Sequence, residues 1–184
     1  MNKIFLITGF LFIAATSWSQ DKYFTKSGKI DFYSVTPLED IAAKNKSAVS
    51  VLDAKTGTLH FSVLIKGFEF KNEEMQEHFN ENYMESAKYP KAEFKGQILN
   101  NALIDYKKSG SYPVQVKGLL TLHGVTKEVQ TTGIVKVDGG SVKAASAFTI
   151  QIADYGITIP KLVRDKVAKT VKIVVDTQLD PLKG

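Results

Sequence analysis

The groups in this chain whose chemistry calls for a reading first are three histidines, one acid beside a phenol and one cluster of bases. They are His60, His78 and His123; Asp154-Tyr155; and Lys161, Arg164 and Lys166, followed by Lys169 and Lys172. Zinc sites draw ligands from short, fixed spacings. The histidines instead fall on a predicted strand, a predicted helix and a predicted turn, so no metal site is expected, and His123 is expected to hydrogen-bond to backbone. Asp154 and Tyr155 would be neighbours on a strand, pointing to opposite faces and unable to share a substrate. There is no nucleophile elbow, phosphate loop, catalytic triad or cysteine, hence no case for an enzyme and no expected cofactor. The bases, diluted by Asp165, fit either a lipid phosphate head group or an anionic membrane surface; the plainer account is a solvated basic loop.

Whatever binding surface exists must therefore be apolar, and the sequence supplies it on alternate residues. From Tyr112 to Val137, Val114, Val116, Gly118, Leu120 and Leu122 share one side of a two-residue period, as do Val125, Val129, Val135 and Val137. The two runs meet at His123-Gly124, where glycine supplies the positive φ of a tight hairpin turn. Such a one-sided hairpin must lay its dry face on more sheet or close into a barrel. Phe61, Val63 and Ile65 repeat the pattern within Thr58 to Lys66, Phe94 within Ala92 to Ile98, Phe148, Ile150 and Ile152 in a later strand, and Val171, Ile173, Val175 and Leu179 in the last.

The period changes once. Met75, Phe79 and Tyr83 recur every fourth residue between Glu73 and Glu85, with acidic residues in the first turn and Asn72 as cap, which predicts one short amphipathic helix. Phe68 and Phe70 lead into it, gathering aromatic rings where a strand hands over to the helix. The helix either plugs one end of a β structure or serves as a flap over a cavity mouth. Pro37 to Ala43 reads as a second, shorter helical turn capped by Thr36, and Ala102 to Tyr106 as a short strand. About eight or nine strands with no βαβ rhythm predict an all-β fold, a closed antiparallel barrel of about eight strands with the helix near its mouth. A barrel of that size is either just filled by side chains or holds one small ligand. The apolar candidates are Phe61, Val63, Ile65, Phe68, Phe70, Met75, Phe79, Tyr83, Phe94, Leu120, Phe148, Ile150 and Ile173, for each of which ordinary core packing is the competing account.

Lys3, the apolar run Ile4 to Ala15, and small residues at Ser17 and Ser19 predict a signal peptide over residues 1–19 cleaved near Ser19, followed by one domain over residues 20–184 that is periplasmic or secreted. The run is too short to span a bilayer comfortably. A net charge of +5 with Arg164 as the only arginine argues against nucleic acid.

Several of these stretches resemble one family. Gly118-Leu119-Leu120-Thr121-Leu122-His123-Gly124-Val125-Thr126-Lys127 is similar to the signature hairpin of the YceI-like, or polyisoprenoid-binding, family. Tyr89-Pro90 ahead of Phe94, and Phe148-Thr149-Ile150 leading to Asp154-Tyr155-Gly156-Ile157, follow in the same order. Met75 to Ser86 departs from the family's usual short passage from helix to strand. The resemblance implies a lipocalin-like barrel, exported to the periplasm, that holds an isoprenoid or quinone-type lipid without catalysis. The alternative is a filled barrel acting as a periplasmic protein-interaction or stress-response module. Transient contact with a membrane surface is compatible with the first.

Overall fold

The computed structural model describes residues 21–182. The predicted signal peptide, residues 1–19, lies outside them.

Nine strands, all paired antiparallel, build the fold: β1 (Lys22–Val35), β2 (Asp40–Asp53), β3 (Thr58–Leu64), β4 (Glu69–Phe70), β5 (Lys91–Ile98), β6 (Gly110–Leu122), β7 (Val125–Asp138), β8 (Ser141–Gln151) and β9 (Thr170–Pro181). The order β1-β9-β8-β7-β6-β5-β3-β2 closes on itself through β1–β2, giving an eight-stranded barrel; β4 adds a short pairing to β2 at Ala43 and Lys44. Closure satisfies the alternation, since a closed sheet turns the dry side of its strands inward. The β6–β7 hairpin turns at His123-Gly124 with φ of 50° and 75°, so both turn residues, not the glycine alone, are left-handed.

Three local expectations fail for identifiable reasons. Pro37 to Ala43 is not helical: Thr36 to Glu39 makes the β1–β2 turn, Thr36 Oγ1 accepts from the Leu38 and Glu39 amides, and Ala42 and Ala43 pair with Tyr33 and Phe32. Thr36 therefore caps no helix: its hydroxyl serves the hairpin turn instead, and strand pairing overrides the weak helix signal behind it. Ala102 to Tyr106 is not a strand, because no neighbouring strand is left to pair with it. It lies across the barrel end, beginning in the 3-10 turn Asn101–Leu103, which is tied down by Asn101 Nδ2 donating to the Ala54 carbonyl (2.8 Å) and Tyr106 OH donating to Asn101 Oδ1 (2.8 Å). Ile152 to Tyr155 is likewise a 3-10 turn, ended by Gly156 at φ 69°. Tyr155 is buried and Asp154 exposed, so the two still do not share a site.

The helix forms where predicted but is shorter in its α part. Asn72 Oδ1 accepts from the Glu74 and Met75 amides, α1 runs Glu73–His78, and a π turn carries it through Phe79–Tyr83. Glu85, at φ 43°, turns the chain back toward β5.

Inside the barrel are two packed layers. One end is filled by Tyr23, Leu52, Leu59, Ile98, Ile104, Val114, Val116, Val135, Val137, Val142 and Leu179. The other collects Val63, Ile65, Phe68, Met84, Leu120, Ile150, Ile157 and Val171, with the helix aromatics packed against them. Between β7 and β8 the ladder stops at Gly133 and Ser146. There Thr131 Oγ1 and Ser146 Oγ meet at 3.2 Å and Ser146 Oγ donates to the Thr132 carbonyl at 2.8 Å.

Candidate functional site

The second layer does not fill its end of the barrel. A cavity of about 640 Å³ runs from a mouth between α1 and the segment after β8 down to a floor made by Leu52, Leu59, Ile98, Val114 and Val116. All thirteen apolar candidates lie on its wall. Phe61, Val63, Phe94, Leu120, Phe148, Ile150 and Ile173 come from strands, Ile65 from a 3-10 turn after β3, Phe68 and Phe70 from the crossing to the helix, and Met75, Phe79 and Tyr83 from the helix itself.

Phe94 shapes the bore. Its ring lies over Gly96 and Gly118, which face each other across β5 and β6. A Cβ on Gly118 would come within 2.5 Å of the Gly96 Cα and 2.6 Å of the Phe94 ring, and one on Gly96 within 2.5 Å of the same ring. Two inward glycines thus let an aromatic ring lie flat on the wall instead of standing across the channel.

At the mouth, Phe79 is the hub of an aromatic cluster, with ring centroids 5.4 Å from Phe32, 5.9 Å from Phe68 and 5.0 Å from Phe70. Phe32, which also packs on Phe68 at 5.4 Å, was missed from sequence. Its alternation with Ile30 in β1 was the available signal. Ile157, Ile159, Val163 and Val167, also on the wall, were missed because they sit in irregular chain.

Polar side chains gather at the rim: Ser34, Glu39, Asn72, Glu74, His78 and Lys166. Lys166 Nζ lies 3.9 Å from Glu39 Oε2, and the Ala168 amide donates to Ser34 Oγ at 2.9 Å, which binds the post-β8 segment to the β1–β2 turn. Of the three bases singled out above, Lys166 reaches the cavity wall; Lys161 and Arg164 are exposed outside it. Deeper in, Thr131 and Ser146 reach the wall, but their hydroxyls are bonded to each other and to backbone carbonyls. They make little demand on a ligand for polar contact.

The histidines separate. His60 is exposed on β3 and His78 is exposed at the mouth. Among the described residues no three His, Cys, Asp or Glu side chains come together as metal ligands would. His123 makes the expected backbone contact, Nδ1 lying 3.1 Å from the Tyr155 carbonyl oxygen, and adds an unforeseen one, Nε2 lying 2.9 Å from Glu85 Oε2. Both partners are acceptors, so each ring nitrogen faces an oxygen to which an imidazole N–H can donate. Tyr89 stands edge-on to it at 4.6 Å, and a Cβ on Gly124 would strike the Tyr89 ring at 2.5 Å. Burial, then the neighbouring Asp154, pushes the Tyr155 phenol above its usual range. His123, Gly124, Tyr89, Tyr155 and Gly156 thus form a clamp that fixes the helix end and the β6–β7 turn beside the mouth. Its parts are the residues that carried the family resemblance.

A family model described as the YceI-like domain matches residues 19–179. The chain belongs to the YceI-like family. Solved structures agree on the fold. A polyisoprenoid binding domain from Saccharophagus degradans, implicated in plant cell wall breakdown, superposes with a TM-score of 0.77 at 14% identity, covering 88% of this chain and 99% of its own. BcnA of Burkholderia cenocepacia gives a TM-score of 0.68 at 18% identity, covering 83% and 95% respectively. The Campylobacter jejuni YCEI protein gives 0.56 at 14% identity with full coverage of both chains. No curated protein sequence matches this member of the family.

Proposed function

We propose that this YceI-like protein is an exported, non-catalytic carrier that holds the tail of an isoprenoid or quinone-type lipid inside its barrel, with the head group at the rim. The observation that carries this reading is the cavity: about 640 Å³, with a lining that is predominantly apolar. A filled barrel would have no such space. The volume lies within the range of small-molecule pockets. On the scale by which a cavity of about 150 Å³ accepts one six-carbon ring, it accommodates roughly 25 carbons, about five prenyl units. Each buried methylene contributes about 0.8 kcal/mol before ordering costs, so the tail alone supplies ample affinity. The kinship with a polyisoprenoid binding domain supports the same class of ligand. Removal of residues 1–19 on export belongs to this proposal.

The test fills the bore. Ala144 lies on the cavity wall, opposite Val135 and Thr177 on the flanking strands. Ala144→Phe is expected to keep the β-rich circular dichroism spectrum and to lower uptake of a geranylgeranyl or quinone probe by about tenfold or more. That loss corresponds to about 1.4 kcal/mol or more of binding free energy. Undiminished uptake by a folded Ala144→Phe protein would place the ligand outside the barrel and overturn the reading.

A further inference from the structure

We propose that the lip of the mouth formed by the β1–β2 turn and the 3-10 segment Lys161–Lys166 is a docking surface for an anionic phospholipid bilayer. Leu162 is 97% exposed, and Leu38 on the adjoining turn and Val35 at the end of β1 are 67% and 64% exposed. These three side chains belong to two segments tied together by Lys166–Glu39 and by the Ala168 amide on Ser34. Val163, beside Leu162, lines the cavity. The lip therefore presents apolar side chains to the outside at the place where the apolar interior begins.

Its charge fits the same partner. Lys161, Arg164 and Lys166 on the lip, with Lys169 and Lys172 on the chain that leads from it into β9, outnumber Asp165, Glu39 and Asp40. Leucines at the level of the lipid carbonyls, with long basic side chains reaching the phosphates, are how interfacial segments hold to membranes. Across the mouth, α1 and its π turn carry Glu73, Glu74, Glu77 and Glu81, which an anionic surface repels. The charge difference tilts the barrel with the basic lip down and the helix raised, leaving a path from bilayer to cavity past Val163. The far end of the barrel also exposes leucines, Leu103 at 73%, but it is the packed end, so it serves as the control.

The purpose of docking rests on the carrier reading, but the surface is testable with no cargo. The sole tryptophan of the sequence, Trp18, lies in the predicted signal peptide, so the mature chain from residue 20 has none. Leu162→Trp and Leu103→Trp, made separately, are single reporters at the two ends. Vesicles of phosphatidylcholine with phosphatidylglycerol are expected to shift the emission of Leu162→Trp to the blue, less so as salt rises, and to leave Leu103→Trp unchanged. Adding Lys161→Gln and Arg164→Gln to Leu162→Trp is expected to weaken vesicle affinity about tenfold. No shift at either reporter, or equal shifts at both, overturns the proposal. Cargo loading, read separately by mass, distinguishes the two failures: a protein that loads lipid without docking loses only this inference, and one that docks without ever loading loses only the carrier reading.

Discussion

Gly118 has space for a hydrogen and nothing more. The Lys95 carbonyl and the Gly96 Cα would each stand 2.5 Å from a Cβ there, and both are backbone atoms that cannot step aside. Gly118→Ala therefore overpacks the wall and is expected to cost about 1–3 kcal/mol, lowering the melting temperature by several degrees. It should also lift the Phe94 ring into the bore and weaken uptake of a prenyl probe. Thermal melting and probe titration on one sample check both effects, and a variant as stable and as receptive as the parent would contradict this account of the wall. The inward side of Phe94 and Gly118 was legible from alternation. The need for glycine was not, because it arises from the register that sets Gly96 against Gly118 across two strands. The same limit applied to His123. Its backbone bond follows from its place in a turn, whereas its contact with Glu85 joins residues brought together only by the barrel.

Among the elements, α1 and its π turn are attached through the Phe79 and Tyr83 rings and through Gln76, whose Oε1 accepts from the Phe70 amide. None of their residues is fully buried, and Phe79 touches Phe32, Phe68 and Phe70. Elements held by few buried contacts open at low free energy. Phe79→Ser is expected to raise amide exchange over residues 73–83 while β6 and β7 keep their protection, and to speed release of a bound probe more than it alters capture. Unchanged exchange and release would mean that the helix is held elsewhere and is not the gate. The helix was readable because its signals are local: Asn72 as cap, acids in the first turn, Met75, Phe79 and Tyr83 on one face. Phe32 escaped because its partners lie far along the chain, and Pro37 to Ala43 misled because a good cap residue also makes a good hairpin turn.

For the whole molecule, alternation in every strand, a lone helix and the absence of βαβ units were enough to specify a closed antiparallel barrel. Whether its interior is filled was not legible, since that depends on small differences between wall volume and bore volume summed over eight strands. The structure divides the interior into a packed end and a cavity, and sets the rim charges asymmetrically, bases in excess on the lip after β8 and acids in excess on α1 and its π turn. Basic residues crowded after Pro160 were visible in sequence; their link to the mouth through Lys166 and Glu39 was not. The most direct test of the central claim is native mass spectrometry of the mature protein, isolated from the exported fraction without detergent and followed by solvent extraction. The account predicts a chain beginning near residue 20 that carries one lipid adduct per molecule, released by solvent as a prenyl chain or quinone. A bare mass that stays bare after incubation with quinones and prenyl phosphates would contradict it.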